Sequence, residues 1–305
     1  MAKLKVVIGV PTYKRYKGLS RLLKSLSQQI CDFEFDIIIA DNEGKDGVGH
    51  QVVKAVKDSY PLAIKVIPVT ERGISHVRNA LMHEAFQALN ADVIAMVDDD
   101  EVVDENWINE LIKAYLKSGA QVIGGAIYPE FKTAPPEWTK ESKLYFRTIH
   151  AEDYVTLIQA AGNILLHKSI YNGKDALYFD ENFGLTGGED KEFFIRLKNK
   201  GIKFYYTPEA KSFEYYGPER VSEKWALERA YRIGCNDTRI LKYHSSSIFL
   251  GLKILVTSLL GLLVYTTLIP FFYTNKPKQF KYRLKLSRQI GKLQGLNNYK
   301  LEGYK

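Results

Sequence analysis

The sequence predicts an α/β protein: a doubly wound, mostly parallel sheet with helices on both faces, followed by a hydrophobic segment that associates with a membrane. Three observations carry this. Short apolar runs rich in β-branched residues alternate with stretches of helical periodicity along residues 4–127. One such run, Val93-Ile94-Ala95-Met96-Val97, leads straight into Asp98-Asp99-Asp100, and ligands of open α/β sheets sit beyond the carboxyl ends of the strands. Residues 248–273 are apolar except for Lys253 and a few hydroxyls.

The chain has 305 residues, enough for one large α/β domain with an appendage or for two small domains. Cys31 and Cys235 make no disulfide framework, and no CxxC or Cys/His metal spacing occurs, which suits a reducing compartment. The apolar run at Val6-Val7-Ile8-Gly9-Val10 is too short for a signal peptide and reads as a first strand. The net charge of +8 is concentrated: residues 274–305 hold nine Lys or Arg and only Glu302 as acid, leaving 34 charges of each sign elsewhere. A neutral body with a basic tail is not the broad footprint of a nucleic-acid binder. Placed after the most apolar stretch, the tail points to anionic lipid.

Taken in order, a strand over 4–10 ends at Pro11-Thr12-Tyr13-Lys14-Arg15. Leu19, Leu22, Leu23 and Leu26 then mark one apolar helix face. A second strand, 35–40, ends at Asp41-Asn42. An acid there is placed to touch a nucleotide's ribose or base, or simply to make a turn. A helix over 50–58 and a strand over 63–67 continue the alternation. Next, Glu71-Arg72-Gly73-Ile74-Ser75-His76-Val77-Arg78-Asn79 opens a helix running to about Leu89. Arg72 and Arg78 either reach a diphosphate or make surface ion pairs. After the 93–97 strand, three adjacent carboxylates repel one another and so attract a cation. Oxygen ligands suit Mg²⁺ or Mn²⁺, held by one or two carboxylates plus substrate phosphates. The competing use is helix capping, for which Asp104 suffices before a helix over 105–117. A strand over 121–127 follows, and neither GxxxxGK[ST] nor GxGxxG occurs, against a P-loop or a dinucleotide fingerprint.

The second half changes character. Residues 128–158 read as loops and short elements of the kind that carry substrate contacts, and 160–166 as a strand returning to the core. In Phe179-Asp180-Glu181-Asn182-Phe183-Gly184-Leu185-Thr186-Gly187-Gly188-Glu189-Asp190 a glycine-rich loop delivers two carboxylates to the first turn of a helix over 190–199. Helix N-termini favour acids, which accounts for one carboxylate but not for the loop. A strand over 202–206 leads to Pro208-Glu209-Ala210, and an arginine-bearing helix runs from Val221 to about Leu241. Residues 248–273 suffice for one membrane span, whereas two would need about 40 residues. A single span would put the basic tail opposite a cytosolic body, against the positive-inside tendency. The segment is therefore read as a re-entrant or interfacial helix with both flanks cytosolic.

Together these stretches resemble a family-2 glycosyltransferase of the GT-A fold over about residues 4–240. The resemblance rests on Val10-Pro11-Thr12-Tyr13-Lys14-Arg15, Asp41-Asn42, the Arg72–Asn79 segment, Asp98-Asp99-Asp100 and Gly188-Glu189-Asp190, in the family's order. Gly217-Pro218-Glu219-Arg220, the arginine-bearing helix and the hydrophobic segment look closest to the exopolysaccharide, succinoglycan-type branch. The resemblance implies that Pro11, Thr12, Arg15, Asp41, Arg72 and Arg78 hold the nucleotide and its phosphates. It assigns Asp98 and Asp99 to the nucleotide-sugar, Asp100 to the Mn²⁺ or Mg²⁺ ion, Asp190 to the general base and Glu189 to the positioning of acceptor or sugar. Where many members place a metal-binding histidine after the "PEA" stretch, this chain has Glu214, a further candidate ligand.

The chemistry agrees independently of the family name. Sugar transfer needs a stabilised leaving diphosphate and a base for the acceptor hydroxyl, and two carboxylate sets about 90 residues apart can flank the anomeric carbon. The expectation is an inverting, metal-dependent transferase moving a sugar from a nucleotide-sugar, of UDP type, to a lipid-linked saccharide. It would work at the cytoplasmic face of a bacterial inner membrane, in surface polysaccharide synthesis. The division expected is a catalytic domain at 1–245, a membrane segment at 246–275 and a basic cytosolic tail at 276–305. Two alternatives are a sugar-phosphate nucleotidyltransferase, for which the loop after the first strand lacks glycines, and a non-catalytic membrane-attached scaffold of the same fold.

Overall fold

A computed structural model of the chain describes residues 4–57, 59–158, 160–171, 177–245 and 247–297. The end of the basic tail, 298–305, and Asp58 at the close of the expected second helix lie outside the described residues. The chain divides into two compact units: one of residues 1–128, 149–185 and 189–214, the other of residues 129–148, 186–188 and 215–305.

The first unit is built on a mixed sheet. Strands β1 (Val6–Thr12), β2 (Phe35–Asp41), β3 (Ile64–Pro68) and β4 (Val93–Val97) are parallel, in the order β3-β2-β1-β4. Then come β8 (Asn163–His167), antiparallel to β4, and β6 (Val122–Phe131), antiparallel to β8. Strand β9 (Phe204–Tyr216) follows, carrying β5 (Glu101–Val103) and β7 (Asp153–Val155) as antiparallel partners. The continuous apolar runs are explained by burial on both faces. Along β1 and β4, Ile8, Val10, Ala95 and Val97 face one core with helices α1 (Tyr16–Leu26), α2 (Val48–Val56) and α4 (Trp107–Ser118). Val7, Ile94 and Met96 face the other, with α3 (Ile74–His83) and α5 (Glu189–Asn199). Each fully buried Leu, Ile or Phe contributes on the order of 2 kcal/mol, so neither face can be left uncovered.

Several element boundaries differ from expectation. β1 runs on through Pro11 and Thr12, which pair with Ala40 and Asp41. The helix expected to reach Leu89 ends at His83 and continues as a π-helical turn, Glu84–Ala88, which buries Ala85 and Phe86. Asp104 is not the N-cap of α4: its carboxylate accepts the N–H of Asn106 at 3.2 Å, and its carbonyl accepts that of Trp107. The helix consequently starts two residues later than expected, at Trp107, with Asn106 at the cap. The strand expected to stop at 206 runs to Tyr216. Pro208 is tolerated because it falls between the residues paired with β7 (204–206) and those paired with β5 (212–214).

The second unit is helical. Its α6 (Glu223–His244) begins at Ser222, whose Oγ accepts the N–H of Trp225 at 3.2 Å. Tyr145, Tyr216, Trp225 and Arg220 cluster beside it, with the Tyr145 hydroxyl donating to the Arg220 carbonyl at 2.9 Å. The hydrophobic segment forms α7 (Ile248–Phe271), with only Ile254 and Ser258 buried. It is therefore not a core helix. The basic stretch forms a second long helix, α8 (Lys276–Leu296).

Candidate active site

The site is assembled at the carboxyl ends of β1 and β4, where chain reversal exposes polar groups that the strands cannot use. Past β1, Lys14 takes a left-handed backbone, φ +56°, which is uncommon for a side chain this long. The turn brings Arg15 back toward β4. Its guanidinium lies 2.8 Å from Asp99 and 2.9 Å from Asp100. Asp99 is buried and also accepts from the Thr12 hydroxyl at 2.8 Å. Burial, with Asp100 adding to it, lifts the Asp99 carboxyl to about 6 despite Arg15 and Thr12. Burial weakens the Arg15 charge, but the aspartates outweigh it and hold the guanidinium firmly ionised. Helix α1 is seated against this turn at Gly18, where a Cβ would collide with the Asp99 carbonyl.

Arg78, on the buried face of α3, joins the two carboxylate sets. One of its Nη atoms donates to Glu189 Oε1 at 2.6 Å and the other to Asp98 Oδ1 at 3.1 Å. Its side chain is 5% exposed, as is that of Glu189, whereas Asp98 is 32% exposed. The Phe179 ring lies 5.5 Å from the guanidinium. Of the two readings open for Arg78, surface ion pair or diphosphate ligand, the structure shows a buried bridge between acids. Asp190 follows Glu189 in the first turn of α5, half-buried, its Oδ1 accepting the Lys191 N–H at 2.7 Å.

Burial, then the neighbouring Asp190 charge, raises the Glu189 carboxyl to about 7, with Arg78 opposing. A carboxyl raised in this way keeps its proton in the folded chain at pH values where the unfolded chain has lost it. Its contribution is full below about pH 4.5 and is lost as pH rises through about 7. The expected result is a melting temperature that falls between about pH 5 and about pH 7, with a shallower slope in Glu189→Gln. Equal slopes in the two proteins would remove Glu189 as the cause.

The other expected residues are placed less centrally. Pro11 is buried in β1, in register with Ala40. Asp41 lies beside Thr12, but its carboxylate accepts the N–H groups of Gly49 at 2.7 Å, Glu43 at 3.0 Å and His50 at 3.3 Å. It thereby folds its own loop onto α2. Arg72 is exposed on the loop before α3. Glu214 is buried on β9, directly opposite Glu101 of β5.

Three residues beside the site were given no role by sequence reasoning, though Asn42 is part of the Asp41-Asn42 motif. Glu101 is a fourth consecutive acid, and its adjacency to Asp98-Asp99-Asp100 was the available signal. Gly162 lies so close that a Cβ would collide with Glu101 and meet the Asp98 carboxylate at 2.8 Å. Asn42 pins the Arg72 loop, donating to the carbonyls of Val69 and Glu71 and accepting the Gly73 N–H at 3.0 Å. Among the described residues no group of three or more His, Cys, Asp or Glu side chains could hold a metal ion. Asp100 and Glu214 are both oxygen donors, the ligand type a hard cation takes, and Asp100 lies 2.9 Å from Arg15.

A family model described as glycosyl transferase family 2 matches residues 7–173, and another, glycosyl transferase family group 2, matches residues 93–280. The succinoglycan biosynthesis protein ExoM of Rhizobium meliloti is 26% identical over 243 residues, 78% of this chain and 75% of that protein. A poly(ribitol-phosphate) beta-N-acetylglucosaminyltransferase, TarS of Staphylococcus aureus, is 24% identical over 242 residues, 73% of this chain and 40% of TarS. Residues 1–349 of TarS, crystallised with UDP, match with TM-score 0.51 at 16% identity, covering 97% of this chain and 92% of that one. The mannosyltransferase PcManGT of Pyrobaculum calidifontis, solved with GDP-Man and Mn²⁺, matches with TM-score 0.59 at 13% identity, covering 95% and 88%. These likenesses agree with a GT-A sheet whose strand ends carry the acids, and the chain belongs to glycosyltransferase family 2, as a glycosyltransferase enzyme.

Proposed function

We propose that the protein is an inverting, metal-dependent transferase that moves a sugar from a UDP-sugar to a saccharide acceptor carried on a membrane lipid, in bacterial surface polysaccharide synthesis. The observation that carries the reading is the Arg78 bridge, which joins Asp98 at the end of β4 to Glu189 at the start of α5 across one guanidinium. Acids needed on the donor side and on the acceptor side of an anomeric carbon are thus parts of one buried ion network.

In this mechanism Asp98 orients the sugar and ribose, while Arg15 and Arg72 line the nucleotide end; buried Asp99 and Thr12 hold Arg15 in place, and Asp41 and Pro11 shape the loop and strand end beside it. Asp100, with Glu214, would hold Mn²⁺ or Mg²⁺, which when bound supplies positive charge to the leaving diphosphate. Asp190 takes the proton of the acceptor hydroxyl as its oxygen bonds to the anomeric carbon. The bond from that carbon to the diphosphate breaks with its electron pair, and the configuration inverts. Glu189, held by Arg78, positions the incoming group.

Membrane association, and with it an acceptor carried on a lipid, is supported by α7, a 24-residue helix with mean hydropathy 2.2 and 11% of its most apolar window buried; the cytoplasmic face is part of the proposal. Its seven-cation neighbour α8 adds affinity for anionic lipid.

The test is thermal stability with UDP, GDP, CDP and TDP, each with and without Mn²⁺. A ligand binding only the folded chain stabilises it by about 2.7 kcal/mol at a hundredfold excess over Kd. A Mn²⁺-dependent shift with UDP alone is expected. A shift with another nucleotide changes the donor, and none with any overturns the nucleotide-sugar reading.

A further inference from the structure

The helices of the second unit limit how α7 can meet a bilayer. It pairs with α8 along its length, antiparallel: Gln279 Nε2 donates to the Ile269 carbonyl at 3.5 Å, the rings of Tyr265 and Tyr282 lie 6.1 Å apart, and Gly261 packs against the Gln289 side chain. Helix α8 is in turn clamped to α6, this time parallel. Gly234, Gly291 and Gly295 allow a backbone approach that a Cβ at any of them would block, against Arg288, Tyr231 and Cys235 respectively. The Ser287 hydroxyl donates to the Leu227 carbonyl at 2.8 Å, the Thr238 hydroxyl to the Lys292 carbonyl at 3.0 Å, and Arg288 Nε to Asp237 at 2.9 Å.

Were α7 to cross the bilayer with this packing intact, its midpoint near Leu259 would bring Arg288, Asp237 and the polar length of α6 to the hydrocarbon centre, where charged side chains are strongly disfavoured. To cross alone it would have to leave α8 and give up the seam. One orientation keeps every contact. On the side away from α8, Ile248, Phe249, Leu252, Leu260, Leu263 and Phe271 are between 57% and 82% exposed, a run of exposed apolar side chains of the kind that marks an interaction surface. Three exposed lysines lie over aromatic rings of the hairpin: Lys276 over Tyr273 at 5.0 Å, Lys278 over Phe272 at 5.6 Å and Lys285 over Tyr265 at 5.5 Å. Aromatic rings with snorkelling lysines mark the headgroup level of a membrane.

We infer that α7 and α8 form a monotopic hairpin: α7 lies in the plane of one leaflet, its outer face among acyl chains, while Lys276, Lys278 and Lys285 meet anionic headgroups. The inference rests on the membrane association proposed above and adds its geometry and lipid class. It predicts that no part of α7 reaches the far side.

The test uses the full chain with Cys31→Ser and Cys235→Ala. A single fluorophore is placed at Leu252→Cys, Leu260→Cys or Phe271→Cys, on vesicles of phosphatidylcholine with or without phosphatidylglycerol, carrying shallow or deep lipid-borne quenchers. All three positions are expected at one shallow depth. A deep Leu260 flanked by shallow Leu252 and Phe271 means crossing and overturns the hairpin. So does a dimer in which no quencher reaches Leu260. The unlabelled triple variant Lys276→Gln, Lys278→Gln, Lys285→Gln should bind phosphatidylglycerol vesicles roughly a hundredfold more weakly, with binding to pure phosphatidylcholine little changed. Equal binding by variant and parent overturns the assignment to anionic lipid. The nucleotide-induced thermal shift, measured on the same proteins, tells the two readings apart: a chain that shifts with UDP but binds no vesicle refutes the membrane geometry and leaves the transferase standing.

Discussion

Asp190→Asn is expected to lower turnover by about 10²–10⁴, the range associated with a positioned general base, while leaving nucleotide-induced stabilisation nearly intact. Asparagine keeps the shape at the start of α5 and can still accept the Lys191 N–H that Asp190 Oδ1 receives, but it cannot take a proton. Rates and thermal shifts measured on one preparation check both halves. Glu189→Gln is the informative companion, because the buried Glu189 carboxyl, raised to about 7, is the other group near Asp190 that can exchange a proton. Retained turnover in Asp190→Asn with loss in Glu189→Gln would move the base to Glu189.

The largest effect on stability is expected at Arg78. Arg78→Met removes both hydrogen bonds of the bridge and leaves the Glu189 carboxyl buried without its donor, where at neutral pH it takes up a proton; an unsatisfied buried polar group costs about 1–3 kcal/mol. Asp98, 32% exposed, can turn to water and adds less. Chemical denaturation at neutral pH measures the loss. The double variant Arg78→Met, Glu189→Met should recover much of it, since two apolar side chains of similar volume leave no buried carboxyl without a donor, although activity stays lost. If Arg78→Met alone is as stable as the parent, the bridge is not the element that holds α3, β4 and α5 in their arrangement.

Much of the site was legible because its signals are local. An apolar run ending in acids marks a strand end whatever surrounds it, and Val93–Val97 with Asp98 to Asp100 appears as expected. The glycine-rich approach to Glu189 and Asp190 was equally readable: Gly187 and Gly188 both take positive φ, +80° and +87°, which favours glycine. Arg78 was not decided, since a helical arginine looks the same in one dimension whether it pairs on the surface or bridges two acids, Asp98 and Glu189, far apart in sequence. Asp104 misled for a related reason. Capping propensity named the residue type, but a turn used its carboxylate two residues before the cap.

The amino-acid sequence by itself determined the alternation of strands and helices, the two-faced burial of the sheet, the order of the acidic motifs and the presence of one long apolar segment beside a basic one. Each follows from periodicity or composition within about twenty residues. Tertiary structure decided the antiparallel half of the sheet, the opposition of Glu101 and Glu214 across β5 and β9, the Arg78 bridge and the seam of α7 on α8. These join residues distant in sequence, and their partners are chosen by competition among all buried surfaces and charges at once, which no local pattern contains.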